Sequence, residues 1–422
     1  LSSNTPRSTV GLSKLSSIVL ACALLLTRQV YAVPADLTLD QALQQAEQNN
    51  PNLAAAGWSI AVAQGERIQA GLIPNPELSF EVEDTRSDTR TSTVQLTQPI
   101  EVGGKRGARI RLAERGSDAA ALELERSRNE LRSEVILAFY GQLRARMRVD
   151  LAEESLRLTE RGTTIAEGRV KAGKVSPIEL TRAQVQMAEV QLELNRSRKE
   201  LASANARLQV VLGGDLDTSL LPVGDATLLP ATPDKSILLK ALDSSADMRL
   251  ARLGVDQQEA SFELEKTLRI PDISVSIGSQ YSAEDRERVN VVGLSMPLPL
   301  FNRNQGNVLA AARRADQARD QRNATELRLQ GTLQETLDQW DAAASEIESF
   351  KTTILPSAQK AVDSTVRGFE MGKFGFIDVL DAQRTLIQGR LQYLLALEAA
   401  TQSWSQLERI YGDIAVIARS RQ

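Results

Sequence analysis

Histidine is absent from the 422 residues, and Cys22 is the only cysteine. Together these gaps exclude disulfide staples, zinc-type clusters, Ser-His-Asp triads and Cys-His nucleophile pairs. A soft-metal site would have to use Met or carboxylates alone, and no cofactor is expected. Aromatic residues make up 4% of the chain against 42% hydrophobic ones. Whatever is buried must be filled by Ala, Leu, Val and Ile, which suits narrow helix seams better than large globular cores. A basic excess is also missing: 50 Lys and Arg face 54 Asp and Glu, a net charge of -4. Such a chain has nothing with which to hold a phosphate backbone, and nucleic acid is not expected as a partner. Without a nucleotide loop or a catalytic pair, it does not read as an enzyme.

What the N-terminus does contain reads as an address. Arg7 and Lys14 precede the apolar stretch Leu15 to Leu26, and Val30 and Ala32 suit the minus-three and minus-one positions of a signal-peptidase site. Residues 1–32 are therefore expected to be a secretory signal. The apolar run falls short of the roughly 20 residues of a membrane helix. Val19-Leu20-Ala21-Cys22 hints at a lipoprotein signal, but Ala23 to Leu26 continue the run past Cys22, which argues against lipidation. Removing Arg7, Lys14 and Arg28 from 50 basic residues leaves 47 against 54 acids, a charge of -7. No later segment approaches 18 apolar residues, so the remainder is soluble or enters a membrane as strands.

An internal repeat organises that remainder. At an offset of 199 and without gaps, Gly173 through Gln184 aligns with Gly372 through Gln383, and the same register pairs Leu192 with Leu391, Leu208 with Leu407 and Gly213 with Gly412. Ile73-Pro74-Asn75 likewise matches Ile270-Pro271-Asp272, and Pro99 matches Pro297. The shared order implies a duplication with halves 33–225 and 226–422, joined through the Gly, Pro, Asp and Thr residues of 215–234.

Each half predicts helix, strand, strand, long helix, helix. Residues 38–70 and 236–268 open the halves at helical spacing. Residues 107–171 and 306–371 are long Ala, Leu, Glu and Arg-rich stretches, with Pro356 marking a kink in the second. Residues 178–212 and 377–411 close them, each before a glycine. At about 1.5 Å per residue, the first long helix spans roughly 98 Å and each shorter one roughly 50 Å, so two short helices stacked end to end match one long one. Such helices must lie against equally long partners. An elongated coiled-coil scaffold is one outcome.

Alternating strands point to another. Glu77 to Glu83, Thr93 to Thr97, Asp272 to Ile277 and Val292 to Met296 each place apolar residues on one face and polar residues on the other. With their flanks they approach the 9 to 11 residues of a tilted membrane strand. Residues 84–90 and 283–288 read as loops at the hairpin tips. Four strands cannot close a membrane barrel, and open edges are not tolerated in lipid, so chains must pool their strands. Two chains would supply eight and three would supply twelve; a lumen continued by a ring of long helices favours the wider assembly.

With the signal, duplication and hairpins in place, the chain resembles the outer membrane factor family of Gram-negative bacteria, the TolC-like efflux ducts, over nearly all of residues 33–422. Ala42-Leu43 with Asn50-Pro51, Gln98 through Arg106, and Gly372 through Ala382 carry the resemblance. Its Gly103-Gly104-Lys105-Arg106 segment is similar to the heavy-metal, CzcC-type branch. The resemblance implies a mixed α and β fold: four membrane β-strands per chain pooled into a trimeric twelve-strand β-barrel in outer membrane lipid, continued by a long periplasmic α-helical barrel. It implies a passive exit duct for divalent cations such as cobalt, zinc or cadmium. Its implied partners are two further copies of itself, a periplasmic membrane fusion adaptor and an inner membrane pump of the resistance-nodulation-division (RND) class. A multidrug duct and a periplasmic scaffold are the competing readings.

Four groups of residues follow as candidate sites. Glu77, Glu81 and Glu83, on the polar strand face, would make an acidic barrel lumen. Gly103, Gly104, Lys105 and Arg106 form the strand-to-helix junction, where Gly allows a close turn and the cations, with Arg109, face lipid headgroups or neighbouring carboxylates. By resemblance, the hairpin tips Gly173-Lys174 and Gly372-Lys373-Phe374 form the far periplasmic end and the adaptor contact. Asp378 and Asp381, three apart on one helix face, match the family's aperture acids and would set six carboxylates around a threefold axis. The first half has Glu179 and Arg182 there. The family's locking Arg is replaced by Phe374, so its hydrophobic contacts are expected to share in closure.

Overall fold

Asn50 and Pro51 break what periodicity reads as one opening helix. In this computed structural model, which describes residues 36–214, 221–227 and 233–419, helix α1 (Leu39–Asn49) ends at Asn50. The Asn50 side chain then accepts from the backbone N–H of Asn52 and Leu53 and starts α2 (Pro51–Ala70), with Pro51 in the first turn where its missing N–H costs nothing. The second half breaks similarly: Ser245 caps α6 (Ala246–Thr267) after the short α5 (Lys235–Leu242). The expected signal segment, including Cys22, lies outside the described residues.

Helix α3 (Lys105–Lys171) runs 67 residues without interruption, about 100 Å. Helix α2 lies along its sheet-proximal part, and α4 (Pro177–Leu212) along the rest. The two meet end to end, where Asn50 Nδ2 donates to the Val211 carbonyl at 3.0 Å. The end-to-end stacking is present, but with α1 ended at Asn50 the stacked pair has 20 and 36 residues, shorter than the 67 of α3. The second long helix is divided into α7 (Gln305–Ser349), a π-helical turn (Phe350–Ile354) and α8 (Leu355–Glu370), before α9 (Phe376–Tyr411) and the short α10 (Ile414–Arg419). The widened turn sits just before Pro356, whose nitrogen cannot donate to the preceding turn.

Four antiparallel strands form one sheet in the order β2-β3-β5-β6: β2 (Glu77–Glu83), β3 (Thr91–Ile100), β5 (Ile273–Ser282) and β6 (Glu287–Ser295). The β3–β5 pairing joins the halves, leaving β2 and β6 as open edges. Sequence reading missed a second, two-stranded parallel sheet in which β1 (Asp36–Leu37) pairs with β4 (Leu221–Pro222). Part of the expected linker is therefore a strap, and Ala226 on it is buried with Leu37, Phe139 and Leu143. Burial follows the helix seams as a string of clusters rather than one core. This is the packing that scarce aromatics imply.

Candidate functional site

Register sorts the sheet into two faces. Leu78, Leu96, Ile277 and Val292 form one cross-strand row, and Phe80 and Val94 begin the next on the same side, which continues through the polar Ser279 and Asn290. Leu78, Phe80, Val292 and Leu294 are all exposed, so nothing in the single chain covers this oily face. The opposite face holds the rows Glu77–Thr97–Ser276–Gly293, Glu81–Thr93–Gln280–Val289 and Glu83–Thr91–Ser282–Glu287. The three predicted acids thus share one side with Glu287, which the shorter predicted strand had left out. Val289 and Val291 depart from the polar pattern there.

At the junction, Gly103 and Gly104 adopt φ values of 77° and 78°, in the left-handed region. A Cβ on Gly103 would lie 2.7 Å from the Ile270 side chain, whereas Gly104 faces open space. Of the two destinations expected for the cations, Lys105 takes a carboxylate: it is 6% exposed and its Nζ donates to Asp272 Oδ1 at 2.7 Å. Arg106 donates to the Gly71 carbonyl at 2.6 Å. Arg109 pairs with Glu101 and donates to the Ala70 and Leu72 carbonyls. Two arginines therefore satisfy the C-terminal end of α2, where the helix dipole favours positive charge.

The two tips are built alike. Gly173 at φ 68° and Gly372 at φ 75° end their helices, with Lys174 N donating to Arg169 O and Lys373 N to Gly368 O. Phe374 is 47% exposed and folds back over Gly368, where an added Cβ would overlap its ring. Asp378 and Asp381 are both exposed at the start of α9, and Asp378 Oδ2 accepts from Gly375 N at 2.8 Å. One acid of the pair thus also caps its own helix. Arg169, which sequence reading passed over, ties the tips together. It donates to the Phe369 carbonyl at 3.1 Å, and its guanidinium lies 4.5 Å from the Phe369 ring centre. Its only sequence signal is a mismatch in the repeat, since Gly368 stands at the equivalent position.

Above the tips, α3, α4 and α9 border a groove of about 810 Å³ that includes Arg144, Arg148, Glu200 and Glu398. Burial pushes the Arg144 guanidinium below its ordinary value despite Glu398 nearby, and its Nη1 donates to Thr401 Oγ1. Among the described residues no group of three or more His, Cys, Asp or Glu is arranged to hold a metal, and no helix is long and apolar enough to cross a membrane.

A two-faced sheet with Glu77, Glu81 and Glu83 on one side, set on helices of this length, is the architecture of the outer membrane channel class. Residues 42–214 and 237–413 each match the outer membrane efflux protein family, and the chain belongs to that family. It is 40% identical over 376 residues to the cobalt-zinc-cadmium resistance protein CzcC of Cupriavidus metallidurans, covering 89% of this chain and 90% of that one. The nickel-cobalt-cadmium resistance protein NccC of Alcaligenes xylosoxydans xylosoxydans is 29% identical, over 68% of this chain and 66% of its own. In fold, the chain matches the solved structure of CusC with a TM-score of 0.72 at 19% identity, covering 89% of this chain and 92% of that one. The protein is an outer membrane efflux component that extends into the periplasm.

Proposed function

We propose that this chain is the passive exit duct of a tripartite efflux system for divalent heavy-metal cations, cobalt, zinc or cadmium. The carrying observation is the two-faced sheet open at both edges, with Glu77, Glu81 and Glu83 together on the polar face. Three copies joined edge to edge close a twelve-strand barrel with the oily face towards lipid and the acids towards water. Residues 1–32 act as the signal, and 33–225 and 226–422 are the two repeats. Gly173, Lys174, Gly372, Lys373 and Phe374 then lie at the far periplasmic end and contact a membrane fusion adaptor. An inner membrane RND pump supplies energy and most of the selectivity, since a water-filled duct discriminates poorly. The choice of cargo rests on likeness to the cobalt-zinc-cadmium resistance protein.

Deleting the gene should sensitise the host to at least one of these metals, with resistance restored by the intact chain. A deletion strain sensitive to drugs but unchanged towards every metal would overturn the cargo in favour of a multidrug duct.

A further inference from the structure

Phe139 and Gly141 stand two residues apart on α3, about 200° around the helix, so they look in opposite directions. On the Phe139 side lies the strap, with Ala226 buried against Phe139 and Leu143. On the Gly141 side lies the groove between α4 and α9. A strap inside a tube of helices would obstruct it, so the strap marks the outer wall and the groove opens on the lumen. Helix α9 agrees. Asp381, Gln388, Gln392 and Leu395 form one exposed stripe along it, and the last three border the groove or its continuation towards the tips. The groove and the candidate aperture acid therefore share a face.

Its lining is not what a passage for hydrated cations requires. Leu395 and Val210 are more than half exposed in it, and Leu137, Ala138, Gly141 and Leu391 complete an apolar wall. The second half is built differently. On the sheet side of the π-turn the halves align at an offset of 198, since buried Leu131, Val135 and Phe139 match buried Leu329, Leu333 and Leu337. The widened turn supplies the residue by which this differs from 199. In that register Leu137, Gly141 and Arg148 become Glu335, Gln339 and Glu346, all exposed. The fold accepts polar side chains at these positions, so the apolar groove is particular to the first half and not a demand of packing.

Three arginines line the same space. Arg148 is paired with Glu193 and Glu200. Arg144 and Arg207 reach only hydroxyls, Thr401 Oγ1 at 3.0 Å and Ser203 Oγ at 3.4 Å, and among the described residues no carboxylate bonds either one. Glu134 and Glu398 also line the groove, but burial and Glu130 push Glu134 towards its neutral form. Guanidiniums without a bonded counter-ion, beside an apolar wall, fit a molecule with one anionic end and an oily body. The volume of about 810 Å³ is that of a small-molecule site. Bilayer lipid does not reach it in place, because Glu134 lies about 44 Å along α3 from Lys105 at the strand junction.

Resting on the trimeric-duct reading for its place in the lumen, we propose that this groove binds amphiphilic organic anions of the alkyl carboxylate or sulfonate class. The anionic end sits on Arg144 and Arg207, and the chain lies along Leu137, Leu391 and Leu395. Three such grooves line the trimer, and their occupants narrow the passage between the strap and the tips.

The test uses the purified protein in phosphatidylcholine nanodiscs with dansylated undecanoate as the probe and empty discs as the blank. Probe fluorescence should rise and saturate, decanoate should displace the probe, and decylamine should not. Arg144→Gln should weaken binding about tenfold. Gly141→Leu should abolish it. An added Cβ there meets nothing within 4 Å and the change favours the helix, so this variant folds with its groove filled. In a planar bilayer, decanoate added from the periplasmic side should lower the conductance of native channels and leave that of the Gly141→Leu channels unchanged. Equal binding by the native and Gly141→Leu proteins overturns the site. Displacement by decylamine as effective as that by decanoate overturns its preference for anions. Binding without any change of conductance overturns the luminal placement. A protein that binds the probe but forms no conducting trimer overturns the duct reading and leaves the groove assigned.

Discussion

Gly103 and Gly104 are adjacent and share one backbone conformation, yet they do not carry equal constraint. Gly103→Ala adds a Cβ 2.7 Å from Ile270 in addition to the left-handed strain, while at Gly104 the strain acts alone. The first substitution should cost about 3 kcal/mol and the second about 1 kcal/mol. Urea midpoints of the helical circular dichroism signal in detergent measure both, and equal shifts would mean that Ile270 yields. Lys105 illustrates the same distinction between sequence and surroundings. A lysine beside lipid headgroups and a lysine buried on Asp272 look identical in a motif. The partner, 167 residues away, decides between them.

Helix junctions decide how the long elements stack. Asn50 performs two tasks with one side chain: its oxygen caps α2, and its nitrogen holds the Val211 carbonyl at the end of α4. Asn50→Ala loses both and should destabilise the protein by about 2 kcal/mol. Asn50→Asp keeps the cap but cannot donate, so its thermal midpoint should fall between those of the alanine variant and the native protein. An aspartate variant no better than alanine would place the stabilisation in the contact with α4 rather than in the cap. The repeat also hides a difference between its long helices. Helix α3 is continuous, whereas its counterpart widens into a π-turn at Phe350–Ile354 before Pro356. The proline was legible; the form of the break depended on how the surrounding turns rearranged their hydrogen bonds.

For the whole molecule, Asp378 and Asp381 lie exposed beside the second tip, where a threefold axis would gather six carboxylates. Replacing both by Ala should weaken divalent-cation block from the periplasmic side while leaving barrel insertion intact. The effect on resting closure should be smaller, because Arg169 and the Phe374 ring already tie the tip. Single-channel recordings with and without added cation test this prediction. Identical block in both proteins would remove the acids from the aperture and assign them to a solvated surface. Arg169→Ala should instead raise the frequency of spontaneous openings, and an unchanged frequency would limit that arginine to packing.

The sequence by itself determined the elements, because the forces that choose them act over a few residues. Alternation made the strands, uninterrupted helix formers made α3, and Gly173 and Gly372 ended the long helices. It also determined that the elements come twice, and that their burial would be thin, since few aromatics are available. Only the tertiary structure decided what joins what. The strap of Leu221–Pro222 on Asp36–Leu37, Lys105 on Asp272, and Arg169 on the carbonyl of Phe369, 200 residues away, carry no local periodic signal. Each depends on chain segments brought together by packing, where a charge or carbonyl removed from water must find a partner nearby.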